Sequence, residues 1–542
     1  MWLMSWLAKQ YLIQPATNMH DVACPTRYQP YGLSQPILSC NYQIINPLTL
    51  ILSKIKLGGG GGGGGGKMKK TIVLYPSPLI GHLISMVELG KLILNQYPSF
   101  NITVLITAMN SKTTSQTTPY INQISKTTPS INFHHLPTQP LEKSQTFFEY
   151  LRQNNPLVHE SLDFIVSQNY KICSFIFDMF CSASLQVTTQ LQIPSYFFYT
   201  SGVNAFTVLL HLPMLNKTWK SVEHDDESSL LLPNTYLNIP GLPPILSTDL
   251  PSSSLNPKDA SHEPFMFISK TAVQAKGIIV NSFESLEPRA VKAIKGGLCF
   301  PDSVITPPLY PIGPLIAEPT ASNKTCDCLT WLDKQTRESV VFLCFGSGGV
   351  FSEDQLNEIA VGLEKSRKRF LWVVRIAHPK EKNGHNITPT EPSLDELFPK
   401  GFLERTRERG LVVKNWAPQV DVLNHESVGG FVTHCGWNSI LEAVCAGVPM
   451  IGWPLYAEQR VNRVALVKEM TLSLWLNESE NGFVTAAEIE ECVNTLMDSE
   501  EGRALKERVI VAKDEAKLAL SGGGSTLNAL AKLVESWGQG QS

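Results

Sequence analysis

The chain is poor in charge of either sign and has no surplus of one over the other. Asp, Glu, Lys and Arg make up 17% of its 542 residues, and 45 basic side chains stand against 48 acidic ones. Without a basic stripe there is no electrostatic footprint for nucleic acid, so a small organic substrate fits the balance better. No stretch supplies the ~18 consecutive apolar residues that a membrane-spanning helix needs. The apolar start, Met1 to Ala8, lacks a basic segment and a small-residue cleavage site, which makes it a poor secretion signal. Cys-x-x-Cys is missing among the eleven cysteines. The one close pair, Cys326 and Cys328, has neither a second pair nor histidines at zinc spacing. Unpatterned thiols of this kind suit a reducing compartment, and a cytoplasmic location is expected.

What is present is a globular composition, 43% hydrophobic, at a length that asks for two cores. Residues 1–67 stand apart. They show no sustained period and end in the glycine run Gly58 to Gly66, whose backbone entropy is maximal and which has no side chain to bury. Disorder is expected for 1–67, with Met68 as the functional start. From Met68 short apolar runs alternate with amphipathic stretches, which argues for parallel sheets covered on both faces. Thr71–Tyr75, Ile102–Ile106, Ile131–Leu136, Phe175–Phe177 and Gly277–Val280 read as strands, with helices at Leu83–Leu94 and Ser282–Lys292. The pattern fades from Asn204 to His262, where prolines and serines crowd. Prolines 307, 308, 311 and 314 mark a linker. A second series follows, with strands at Ser339–Phe345, Phe370–Val374, Leu411–Val413, Val428–Thr433 and Pro449–Gly452. Leu356–Ser366, Ala486–Leu520 and Leu527–Trp537 read as helices. The expected organisation is a first α/β domain over 68–310, a linker over 311–335, a second α/β domain over 336–520, and a terminal helix over 521–542 that packs back on the first domain.

The densest chemistry lies between Trp416 and Gln459. A strand ends at Thr433 and a helix opens with His434-Cys-Gly-Trp-Asn-Ser439, at the sheet edge where ligands gather in such folds. Amides of Gly436, Trp437, Asn438 and Ser439 at a helix start suit an anion, helped by the helix dipole. His434, Asn438 and Ser439 add donors for a diphosphate. Trp416, followed by Ala417 and Gln419, offers a flat face for a uracil ring, and Glu442 a carboxylate for ribose hydroxyls. Tyr456 precedes the polar pair Glu458 and Gln459, able to grip a sugar. Each residue alone has a duller reading: a tryptophan is usually core, a glutamine usually solvated, a glycine at a helix start merely a cap. Together in one strand-helix-strand frame they describe a nucleotide-sugar site.

This stretch resembles the signature box of the plant secondary-product UDP-glycosyltransferases. The likeness extends through Gly277-Ile-Ile-Val-Asn-Ser-Phe-Glu284, Phe345-Gly-Ser347 and Phe370-Leu-Trp-Val-Val-Arg375. The opening Pro76-Ser-Pro-Leu-Ile-Gly-His82 is most similar to the flavonoid, isoflavone and chalcone O-glucosyltransferases. The resemblance implies two Rossmann-like domains facing each other across a cleft (GT-B type). The rear domain would hold a UDP-sugar, with Trp416 on uracil and Glu442 on ribose. His434, Asn438, Ser439 and Ser347 would meet the phosphates, and Trp437, Glu458 and Gln459 the sugar. Gly348 departs from the larger residue common in relatives, and Glu458 from their more frequent aspartate.

His82 follows the first strand and opens the first helix, and its ordinary pKa near 6.5 suits proton abstraction. On the residues alone a capping or buried histidine is the simpler reading; the resemblance favours a base. Asp178 ends another strand at the same edge and would orient His82, as acids do in hydrolase triads, or else it is a strand-end cap. The resemblance then implies inverting transfer of a sugar, glucose being expected, to a phenolic hydroxyl. The UDP-sugar is a co-substrate. The chain has no Asp-x-Asp pair, and no metal or other cofactor is expected. A monomer is expected. Phe147, Phe148, Phe180, Tyr199 and Phe206 are candidates for a flat acceptor pocket or plain core. Two other classes stay open: a non-catalytic nucleotide-sugar-binding protein, and a nicotinamide-dependent oxidoreductase suggested by Gly346-Ser-Gly-Gly349, in which Phe351 replaces the third glycine.

Overall fold

The computed structural model describes residues 68–139, 145–220, 235–300, 304–319, 326–375 and 393–538. The expected disorder of residues 1–67 lies outside them. Two parallel sheets carry the chain. The first has seven strands: β1 (Lys69–Tyr75), β2 (Asn101–Ile106), β3 (Ile131–His135), β4 (Tyr170–Asp178), β5 (Ser195–Tyr199), β8 (Ile278–Val280) and β9 (Leu309–Pro311), in the order β3-β2-β1-β4-β5-β8-β9. Between β5 and β8 a short antiparallel pair, β6 (Tyr236–Leu237) and β7 (Ile245–Leu246), stands apart. The second sheet has six strands: β10 (Val340–Cys344), β11 (Arg369–Val374), β12 (Gly410–Lys414), β13 (Val428–Thr433), β14 (Met450–Gly452) and β15 (Ser473–Trp475), in the order β12-β11-β10-β13-β14-β15.

The central strands each feed one core on each face, because side chains alternate along them. Val73, Tyr75, Phe175 and Phe177 enter one core of the first domain, while Ile72, Leu74 and Ile176 enter the other. In the second domain Val340 and Phe342 face one core, Val341 and Leu343 the other. Burial on both faces explains why the strands read as unbroken apolar runs. In both sheets the strand order reverses beside the first strand of the domain, between β1 and β4 or between β10 and β13. That is where a crevice opens at the carboxyl edge. The two Rossmann-like domains face each other across these edges. Among the described residues no helix is long and apolar enough to cross a membrane.

The structure corrects several sequence-based boundaries. Ala486–Leu520 is two helices, Ala486–Asp498 and Glu500–Ala519, because Ser499 is extended and its hydroxyl caps the second through Gly502 N–H. Ser282–Glu287 is a turn, and the helix is Pro288–Lys295, with proline at its first position. The faded stretch after Asn204 begins with an 18-residue helix, Val203–Lys220. Val203, Phe206, Leu210 and Leu212 are all buried, so its apolar residues run round the helix and carry little 3.6-residue period. Ile312 and Leu315 sit in a first-domain core, and the helix Asp327–Leu332 in a second-domain core. The last helix, Ser525–Ser536, packs Leu530 and Leu533 into the first domain, where Tyr196 and Ser536 hydroxyls meet at 2.7 Å.

Candidate active site

On the first domain, β1 runs into Pro76-Ser-Pro and then the helix Ile80–Gln96, placing His82 in the helix's first turn. β4 ends at Asp178, which is wholly buried. The carboxylate makes two bonds: Oδ2 lies 2.6 Å from His82 Nδ1, and Oδ1 accepts from Phe180 N–H at 3.0 Å. Thr200 Oγ1, just past β5, is 3.2 Å from the same ring nitrogen. With Nδ1 engaged, Nε2 is the end of the ring left to meet a substrate. Gly81, before His82, serves a close approach between the domains. It lies inside the helix, and a Cβ there would stand 3.1 Å from Asn438 Nδ2 of the other domain.

The aromatic wall beside His82 sorts the five candidates. Phe180 lies 5.2 Å from the imidazole, and half-buried Phe148 and Phe180 meet edge-on. Phe265, from the helix His262–Ala272, closes the cluster against both, a residue no local pattern marked. Phe147, Tyr199 and Phe206 are core side chains instead: all are buried, and Tyr199 packs on Phe206 at 4.6 Å.

On the second domain the carboxyl edge is made of loops bent by left-handed residues. Gly346 (φ 70°) follows β10, Asn415 (φ 64°) follows β12, Cys435 (φ 62°) follows β13, and Ala457 (φ 55°) lies beyond β14. For Cys435 and Ala457 this conformation is strained and persists because neighbours hold it. Asn462 Nδ2 donates to Cys435 O at 3.0 Å. Gln459 Oε1 accepts from both Leu455 N–H and Tyr456 N–H, which folds the turn around Ala457. The amide NH2 of Gln459 donates to the Tyr456 hydroxyl and keeps its second hydrogen for a ligand. These loops present Ser347, Trp416 with Ala417 and Gln419, His434, and Tyr456 with Glu458 at one edge. Trp416 is 71% exposed, an unusual state for an indole, while Ala417 is buried.

The helix Trp437–Ala446 starts at Gly436, and its first-turn amides face the same edge with no intrahelical partner. His434 is buried and its Nδ1 has no partner among the described residues. Burial drives its pKa down to about 4, so the ring is neutral at physiological pH. Two glycines make room for it: a Cβ on Gly346 would lie 2.5 Å from Nε2, and one on Gly436 2.3 Å. Gln419 Nε2 donates to Ser439 Oγ at 2.8 Å and to Glu442 Oε2 at 2.7 Å. Burial raises the Glu442 carboxyl to about 7, against the opposing pull of the Gln419 bond. Arg375, at the end of β11, donates to Gly346 O at 3.3 Å and brings a cation to this edge.

The two edges touch. Asn438 Nδ2 donates to Gly81 O at 3.1 Å, and Ser85 Oγ to Asn438 Oδ1 at 3.2 Å. The Trp437 indole, expected beside a sugar, is buried and donates to Asn281 O of the first domain at 2.6 Å, so only its backbone amide faces a ligand. Ser201 Oγ donates to Glu458 Oε1 at 2.9 Å. Thr200, Ser201, Ser85 and Asn281 were not marked by any sequence signal except their places just past β5 and β8 and on the His82 helix. The arrangement brings together an imidazole held by a carboxylate, an apolar cluster beside it, and the unpaired amides of a helix start opposite.

Residues 297–510 match the family described as UDP-glucoronosyl and UDP-glucosyl transferase. Similar whole proteins include UDP-glycosyltransferase 88B1 of Stevia rebaudiana, 47% identical over 86% of this chain and 98% of its own length. The anthocyanidin 5,3-O-glucosyltransferase of a Rosa hybrid cultivar is 46% identical over 86% of this chain and 99% of its own. Among solved structures, Phytolacca americana UGT2 complexed with UDP-2fluoro-glucose and pterostilbene superposes with a TM-score of 0.75 at 35% identity, covering 87% of this chain and all of that one.

Proposed function

This chain belongs to the UDP-glucoronosyl and UDP-glucosyl transferase family and is a glycosyltransferase; from that premise we propose that it moves glucose from UDP-glucose to a phenolic hydroxyl, inverting the anomeric carbon. Membership sets aside the nicotinamide and binding-only readings. The observation that carries the reading is the buried Asp178 at 2.6 Å from His82 Nδ1. Nδ1–H donates to the carboxylate, so Nε2 is unprotonated and accepts the phenol proton. The phenolate oxygen attacks C1 of the sugar as the C1–O bond to the β-phosphate breaks, and UDP leaves with that electron pair. Charge growing on the leaving group is met by the amides of the helix Trp437–Ala446 and by Ser347, Asn438 and Ser439, with neutral His434 beside them. Trp416 stacks on uracil, and Glu442, held by Gln419, takes the ribose hydroxyls. The Gln459 NH2 and Glu458 hold the sugar. Asp178 stabilises the imidazolium as it forms.

A phenolic acceptor is supported by the apolar cluster of Phe148, Phe180 and Phe265, with Phe180 against the His82 ring. Relatives point the same way, one named for an anthocyanidin and one holding pterostilbene. The test is a panel of flavonoids, isoflavones, chalcones and stilbenes incubated with UDP-glucose, products read by mass and by anomeric coupling in NMR. A β-glucoside is expected from the wild type, and its loss with His82→Ala. Unchanged turnover by His82→Ala would refute the mechanism.

A further inference from the structure

The helix Gln459–Lys468 grows from the second domain, yet Val461 and Val464 on it belong to a core of the first. Its N-terminus carries Glu458 and Gln459. Its two arginines, one turn apart, meet a carboxylate from each domain, half-buried Glu478 and buried Asp249. Arg460 forks onto Glu478, Nη1 to Oε1 at 2.5 Å and Nη2 to Oε2 at 2.9 Å. Arg463, only 2% exposed, donates from Nη1 to the same Oε1 at 2.9 Å, and its guanidinium lies 3.8 Å from the centre of the Trp475 ring. From the first domain, Asp249 brings Oδ1 to 3.4 Å from Arg463 Nη2 and 4.0 Å from Arg460 Nη1.

Asp249 closes the short helical turn Ser247–Asp249 that follows β7 and is itself buried. Two cations and two anions balance there, with Arg463 and Asp249 buried and Arg460 partly exposed, and an unmatched buried charge is costly. The same hairpin touches the helix again at its far end, where Lys468 Nζ lies 5.9 Å from the Tyr236 ring of β6. The hairpin and the turn that follows it therefore meet the helix at two places, and a helix transmits such a constraint to its first turn as a rigid rod.

We propose that Asp249, a residue of the acceptor-binding domain, is a positioning residue for the donor sugar: through Arg463 and Arg460 it sets where the helix Gln459–Lys468 presents Glu458 and Gln459. This rests on the donor reading above. It touches neither substrate. The uridine and phosphate contacts lie on other loops, at Trp416, Gln419, Glu442 and His434, so the sugar half of the donor should feel Asp249 while the UDP half does not.

The experiment compares the full-length protein with Asp249→Asn by calorimetric titration with UDP and, separately, with UDP-glucose. Turnover of UDP-glucose and UDP-galactose follows against one phenolic acceptor. Expected are UDP affinity within about twofold of wild type, UDP-glucose affinity weakened about fivefold or more, and a narrowed preference between the two sugars. Asp249→Glu, which keeps the charge, should restore most of the difference. Equal weakening toward UDP and UDP-glucose would assign Asp249 a merely structural role and overturn the proposal, as would unchanged binding and preference. Should Asp249→Asn not fold, Arg460→Gln, at a partly exposed member of the network, must show the same split between UDP and UDP-glucose or the proposal falls. Failure of the wild type to bind either nucleotide would instead overturn the donor reading itself.

Discussion

Replacing Asp178 by asparagine isolates the charge from the scaffold. The side chain has two tasks, accepting from Phe180 N–H through Oδ1 and holding His82 Nδ1 through Oδ2. An asparagine keeps an acceptor oxygen for Phe180 and the same shape, so the turn after β4 should survive. What changes is the proton on the ring. The amide NH2 would face Nδ1 and force it to accept, moving the imidazole hydrogen to Nε2, the nitrogen that must take the phenol proton. The attraction for the nascent imidazolium is lost as well. Charge centres about 4 Å apart at an effective dielectric near 20 attract by about 4 kcal/mol. At about 1.4 kcal/mol per tenfold, kcat should fall roughly a thousandfold. Acceptors resembling tyrosine, with a pKa near 10, need the base most, and more acidic phenols should lose less. The assay is kcat for two acceptors of different acidity, alongside UDP affinity by calorimetry as a check that the donor side is intact. A kcat within about tenfold of wild type, with UDP binding unchanged, would refute the base-and-orienter argument.

Two further perturbations act on the donor side. Burial holds the Glu442 carboxyl up at about 7, so the folded chain keeps a proton that the unfolded chain has lost. Stability of the free protein should therefore fall as pH rises from the ordinary carboxyl range through 7, and Glu442→Gln should raise Tm relative to wild type near pH 8 but not near pH 4 by scanning fluorimetry; equal Tm differences at both pH values would contradict this. A methyl on Gly436 would stand 2.3 Å from His434 Nε2, so Gly436→Ala must displace the ring. UDP affinity should drop about tenfold or more by calorimetry, and wild-type affinity would mean that His434 does not face the nucleotide.

The parallel sheets were legible because strands buried on both faces read as plain apolar runs, as in Val340–Cys344 and Phe175–Phe177. The candidate residues were legible for a related reason. Those at strand ends, Asp178 after β4 and His434 after β13, fall at the carboxyl edge of a parallel sheet whatever the tertiary detail. Less was readable where burial overrides period. Ser111–Thr127 is polar, contains Pro119 and gave no helical signal, yet it is a helix with a capping box at Asn110 and Thr113 and with Ile121 and Ile124 buried. Val203–Lys220 failed for the opposite reason, being apolar nearly all round.

What no single stretch could disclose is how the two edges meet. The family resemblance implied Trp437 as a sugar contact, but its indole is spent on Asn281 of the other domain. Gly202 follows from the same packing: a Cβ there would lie 2.7 Å from the Trp437 ring and 2.8 Å from Glu287 Oε1, so the loop after β5 can approach only with glycine. Buried Glu287 in turn caps Val203 and Asn204 N–H, both at 2.8 Å. That cap fixes the loop carrying Thr200 toward His82 and Ser201 toward Glu458. A domain-crossing contact of this kind is written in residues 156 to 357 positions apart, each unremarkable in its own window, which is why the candidate residues could be named from sequence while the contacts that align them could not.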